Sequence, residues 1–168
     1  MLGAGTTYQA MITAPPTPSL AAEAVANHVR SLLVADRAMD VVSTSEHTVK
    51  PWFNGRLDYA PPVLDLATAG FPLAGGRLDY MDGRPVAALL YRSGPHVINL
   101  FVWPAHSGAA PSAAPSFETW QGYHVGHWTG AGMTWWAVSD VNEAEFAAFV
   151  TAVQAASMPA SDTPPATK

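Results

Sequence analysis

The side chains best equipped for chemistry gather in one stretch, His47-Thr-Val-Lys-Pro-Trp-Phe-Asn-Gly-Arg-Leu-Asp58. Lys50 and Arg56 can pair with an anionic group, and Trp52 can stack on a cation or a flat ligand. His47 and Asn54 can add directed hydrogen bonds. Together they suit recognition of an anionic or aromatic partner, and His47, Lys50, Trp52, Asn54 and Arg56 form the candidate binding set. The stretch has no nucleophile beside a base and no paired acids, so it does not suit catalysis. A structural role competes with recognition. In it, Trp52 and Phe53 plug the space under a sheet and Lys50 is solvated.

Elsewhere the search for chemistry is mostly negative. No glycine-rich phosphate loop carries the required Lys-Ser/Thr, and no Gly-x-Ser-x-Gly elbow is present. Six histidines invite a metal site. His124 and His127, however, lie three apart on an expected strand and so point to opposite faces. His96, His106 and His124 could meet only through folding that the sequence does not show. Asp58, Asp65, Asp79 and Asp82 read as turn or salt-bridge residues rather than catalytic acids. No enzyme activity, cofactor or metal ligand set is expected. A module that binds a metal or small ligand through histidines is the alternative.

The elements that must position these groups begin with composition. The chain has 168 residues, 49% hydrophobic and 12% charged, which suits one domain with a sizeable core. Its net charge of −5, with no run of Lys or Arg, argues against nucleic acid as a partner. Cysteine is absent, which removes disulfides, thiolate metal sites and thiol nucleophiles together. No apolar run approaches the roughly 20 residues needed to cross a bilayer.

Residues 1–18, rich in proline towards their end, read as a flexible linker, 19–156 as a single domain and 157–168 as a disordered tail. A helix should follow Pro18, capped by Thr17, with Ala21, Val25, Val29, Leu32 and Leu33 as its apolar stripe; His28 and Arg30 fall on the solvated side. A short strand is expected at Val41-Val42. Pro51 allows only a brief helical turn, closed by Asn54-Gly55. Gly76–Met81 and Pro85–Arg92 form a hairpin about Asp82-Gly83. His96–Trp103 reads as a strand covered on both faces, and residues 105–116 as a mobile loop. Two further strands, Tyr123–Thr129 and Met133–Ser139, precede a helix that Asn142 caps in a box with Glu145, Val141 stapling to Phe146. The expected fold is α+β: an antiparallel meander of about five strands with an N-terminal and a C-terminal helix packed on it. Gly55-Arg-Leu-Asp-Tyr59 recurs as Gly76-Arg-Leu-Asp-Tyr80. The flanks differ, so the copies read as two similar turn-to-strand entries rather than duplicated modules.

Residues 47–63, Gly70–Tyr80, Asp82–Arg92, His96–Pro104 and Gly122–Trp128 together resemble the C-terminal region of bacterial transmembrane anti-sigma factors, which regulate extracytoplasmic-function sigma factors. The similarity spans roughly residues 20–153. It implies a periplasmic sensory or interaction domain of a membrane-anchored, single-pass regulator. The sigma factor would bind a cytoplasmic segment that this chain lacks, and the signal outside would be a periplasmic protein or a small molecule. The chain would then be the excised outer domain, soluble by itself.

Overall fold

The computed structural model describes residues 18–33 and 38–158. Their elements are α1 (Leu20–Leu33), β1 (Val41–Val42), α2 (Glu46–Trp52), a 3-10 turn (Ala67–Ala69), β2 (Leu73–Met81), β3 (Arg84–Ser93), β4 (His96–Pro104), β5 (Ser116–Trp120), β6 (Tyr123–Gly130), β7 (Met133–Ser139) and α3 (Glu143–Ser157). The class is α+β, as expected. Seven strands stand where about five were expected, in one antiparallel sheet ordered β1-β2-β3-β4-β7-β6-β5. Nor is the sheet a simple meander. After β4 the chain crosses to the far edge as β5 and returns inward through β6 to set β7 against β4. The supposed linker before Pro18 and the tail after Met158 lie outside the described residues.

Turn chemistry explains much of this topology. Asp82-Gly83, Gln121-Gly122 and Ala131-Gly132 each put two consecutive residues at positive φ between paired strands. This primed geometry matches the twist of the strands it joins. Asp tolerates the left-handed conformation, whereas Gln and Ala rarely adopt it. The Gln121-Gly122 hairpin is therefore the one the sequence did not announce, and β5 went with it.

The sheet is covered on both faces. On one, α3, α2 and the segment between α2 and β2 enclose an apolar cluster that includes Phe53, Tyr91, Leu100, Trp135 and Phe149. On the other, α1 lies over Met81, Ala88, Phe101, Trp136 and Val138. β4 feeds both, sending Ile98, Leu100 and Val102 to the first and Phe101 and Trp103 to the second. That is the pattern of a central strand. Across β6 and β7, Trp128 and Trp135 are register partners whose rings stack nearly parallel, 5.9 Å apart and 7° from coplanar.

α3 follows its sequence signature. The Asn142 side-chain oxygen accepts from the Glu145 N–H at 3.0 Å, and its amide donates to the Glu145 carboxylate at 2.9 Å. Val141 and Phe146 are both buried in the same cluster. Phe146, Phe149, Val150 and Val153 face the sheet, with Phe149 packed edge-on to Phe71 at 5.2 Å.

α1 departs from expectation. Its N-terminal cap is Ser19, whose hydroxyl accepts from the Ala22 N–H at 3.2 Å; Thr17 lies outside the described residues. The buried face is Ala21, Ala24, Val25, Asn27, His28 and Ser31. Leu32 and Leu33, assigned to the apolar stripe, are 43% and 78% exposed. His28, assigned to solvent, is completely buried, while Arg30 is exposed as expected.

Candidate interaction surface and a buried polar cluster

The expected recognition stretch folds as α2 and the turn that follows it. Ser45 occupies the N-cap position, its carbonyl accepting from Thr48 and Val49 at 3.1 Å, and the Ser43 hydroxyl accepts from the Ser45 N–H. Pro51 stands in the last turn of α2. Its missing N–H ends the ladder there, and Gly55, at φ +75°, turns the chain away.

Val49 and Phe53, four residues apart, are fully buried and anchor the helix to β2. They rest on Gly76, where a Cβ would stand 3.1 Å from both side chains. At neighbouring Gly75 a Cβ would collide with the Val41 carbonyl of β1. The glycine heading the second Gly-Arg-Leu-Asp-Tyr copy is thus the seat on which α2 docks.

The five candidate residues divide on this anchor. His47, Lys50, Asn54 and Arg56 are exposed, and Trp52 is half-buried. Arg56 lies over the Trp52 ring, 4.5 Å from its centroid, and donates to the Trp52 carbonyl. Trp52 in turn meets Phe53 edge-on at 5.1 Å. Arg56, Trp52 and Phe53 therefore form a stack running from solvent to core. His47 stands apart, 3.8 Å from Glu46 with its side chain 89% exposed. Phe53 fills the plug role that competed with recognition; Lys50, Asn54 and Arg56 remain available to a partner.

The first Gly-Arg-Leu-Asp-Tyr copy is a turn, not a strand entry. It ends in Tyr59, whose hydroxyl accepts from the Ala87 N–H at 3.0 Å and donates to the Val102 carbonyl at 2.7 Å, bridging β3 and β4. Burial pushes its pKa up to about 12. In the second copy Arg77 and Asp79 share a face of β2, paired at 2.8 Å and 3.1 Å.

That ion pair belongs to a polar cluster beneath α1 that sequence reasoning missed. Arg77 is 5% exposed, also donates to the Ala38 carbonyl at 3.2 Å and lies over the Phe101 ring. Burial lowers its pKa against the opposing pull of Asp79. Asn27 donates to the Tyr80 carbonyl at 2.9 Å and accepts from Arg30 at 3.0 Å. Asn99, from the middle of β4, donates to the Ser31 hydroxyl, which donates to the His28 carbonyl. Both His28 ring nitrogens and the Asn99 side-chain oxygen are buried without a hydrogen-bond partner among the described residues. Burial drives the His28 pKa down to about 4, with Asp140 opposing and Arg77 reinforcing. Its ring meets Tyr123 edge-on at 5.2 Å. Beside the cluster lies a cavity of about 390 Å³ bordered by Asn27, Arg30, Ser31, Asp40, Arg77 and Asp79. Two sequence signals pointed here: the Ala21, Ala24, Val25, His28, Ser31 spacing, and an Asn inside an otherwise apolar strand.

The remaining histidines are dispersed. His96 begins β4 and donates from its ring Nδ1–H to the Asp140 carboxylate at 3.0 Å, while His106 lies beyond the other end of that strand. His124 lies near Phe146 under α3, and His127 stacks on Trp136 at 4.4 Å on the opposite face. Among the described residues, no three His, Asp or Glu side chains gather as a metal-ligand set. Asp58 pairs loosely with Arg84 at 3.8 Å, Asp65 accepts from the Ala67 N–H, and Asp82 occupies a turn.

No family model, curated protein or solved structure matches this chain. Among the described residues no helix is long and apolar enough to cross a membrane.

Proposed function

We propose that this domain is the periplasmic sensory and interaction part of a membrane-anchored anti-sigma factor, and that the turn after α2 is its recognition surface. One observation carries the reading. The segments that resemble that family fall within one folded unit, on α2 and its turn, β2, β3, β4 and most of β6. The geometry adds a surface suited to the task. Lys50, Asn54 and Arg56 are exposed, with Arg56 held on the Trp52 ring, while Val49 and Phe53 tie the same segment to the core. A ligand that favours one position of this segment over another would shift the domain between two states, as signalling requires. The sigma factor itself would be held by a cytoplasmic segment elsewhere in the protein.

The test is a sigma-dependent promoter reporter in cells carrying the complete coding region. Lys50→Ala and Asn54→Ala should abolish the response to the external signal. As exposed substitutions they should change stability by less than about 0.5 kcal/mol. A response that survives deletion of the whole domain would overturn the regulatory reading. A response lost only in step with melting temperature would overturn the recognition surface.

A further inference from the structure

The two edges of the sheet are unlike. β1 is two residues long and offers almost nothing to a neighbouring strand. β5 exposes all five of its residues, with Phe117 at 54% and Trp120 at 39%. It contains no proline, lysine or bulge of the kind that blunts an edge.

Its register fixes which backbone groups are free. A two-residue primed turn makes Trp120–Tyr123 a hydrogen-bonded pair, and such pairs alternate, so Glu118–Val125 and Ser116–His127 are the next ones. The N–H and C=O groups of Phe117 and Thr119 consequently point away from the sheet. Beside them, between β5 and the first turn of α3, runs a groove of about 200 Å³. Phe117 and Phe146 supply its apolar lining, Thr119 and His124 its polar one, and Glu143 its charge; Glu118, opposite Val125, turns its carboxylate to the α1 face.

We propose that β5 is a docking strand for an extended, cationic segment of a partner protein. The segment adds to the sheet through Phe117 and Thr119 and lays Lys or Arg side chains across the groove. The aliphatic stems cover the phenyl rings, and the charged heads reach Glu143. Charge selects this occupant, since Glu143 borders the groove with no Lys or Arg beside it, and Glu118 adds a carboxylate on the opposite face of the same strand. A second copy of this chain fits poorly. The two-fold register that uses both free residues pairs Phe117 of each copy with Thr119 of the other and sets the Glu118 carboxylates face to face. Moving the axis onto Phe117 brings Pro115, which has no N–H, opposite Thr119. Moving it onto Thr119 runs Phe117 into the Gln121 turn. The inference does not depend on the regulatory reading, which concerns a different surface.

Calorimetric titration of the whole chain with a synthetic peptide of alternating lysine and valine tests it, together with amide chemical-shift mapping. Saturable binding is expected, with shifts confined to β5 and the first turn of α3. N-methylation of alternate peptide amides keeps the charge but removes the donors, and should weaken binding at least tenfold. Exchanging lysine for glutamate in the peptide should abolish it. Thr119→Pro removes a donor that the sheet does not use and should also weaken binding at least tenfold. Equal binding of the methylated peptide would reduce the effect to general charge attraction and overturn the proposal. So would absent binding, shifts elsewhere, or a dimer that Thr119→Pro dissolves. The peptide variants decide the matter even if Thr119→Pro fails to fold.

Discussion

Beneath α3 the sheet meets Phe146, Phe149, Val150 and Val153, and the polar side chains buried on that face, Ser93 and Ser139, both have hydrogen-bond partners. Beneath α1 the same sheet meets Ala21, Ala24 and Val25 at one end of the helix and Asn27, His28 and Ser31 at the other. The first face gains stability from area, which tolerates small displacements. The second depends on hydrogen bonds to particular partners, and it leaves an imidazole and an amide oxygen without a partner among the described residues. Burial of the first kind holds the fold together; burial of the second kind fixes where α1 sits and makes that position sensitive to conditions. The recognition stretch draws on both faces, since Phe53 anchors it to the apolar cluster while Tyr59 packs against the α1 side.

The largest effect should come from the apolar face. Phe149→Ala removes a fully buried ring in contact with Phe71 and Tyr91 and should cost about 3–5 kcal/mol, measured by chemical denaturation. A loss below about 1 kcal/mol would erase the distinction between the faces.

Next comes acid. The folded protein keeps His28 neutral where the unfolded chain would protonate it, so stability is intact above pH 6.5 and is lost as pH falls towards about 4. The accumulated loss from this group is on the order of 3 kcal/mol. His28→Leu should flatten that part of the profile and leave stability at neutral pH unchanged or raised, because no hydrogen bond is sacrificed. An unchanged slope between pH 6.5 and 4 would show that α1 is not held against a buried neutral imidazole.

The smallest effect tests a single rung on the boundary between the faces. Tyr59→Phe deletes the hydroxyl shared by Ala87 and Val102 and leaves a donor and an acceptor unpaired, costing about 1–3 kcal/mol. Faster amide exchange at Ala87 than in the rest of β3 should accompany it.

Features whose cause is local could be read from the sequence. Asp82-Gly83 set the β2–β3 hairpin, Asn142 with Glu145 started α3, and the doubly apolar run His96–Trp103 became the central strand. Features whose cause is a distant partner could not. The polar residues of α1 are buried because Asn99 and the Tyr80 carbonyl wait beneath them, so helical period alone chose Leu32 and Leu33 instead. β5 was hidden by a glutamine in a left-handed turn, and with it went the sheet order. Of the candidate site, the residue types that face solvent could be named. That Val49 and Phe53 would seat on Gly76 follows only from the register of β2.

The nearly parallel stack of Trp128 on Trp135 makes the returning half of the sheet optically legible. Two indoles held this close couple as excitons, and their joint circular-dichroism signal follows the separation and relative orientation of the rings. A slip of β6 against β7 by a single residue would separate the rings and change that signal, even if the overall strand content stayed the same. The protein thus contains its own gauge of strand register, readable in dilute solution without a label.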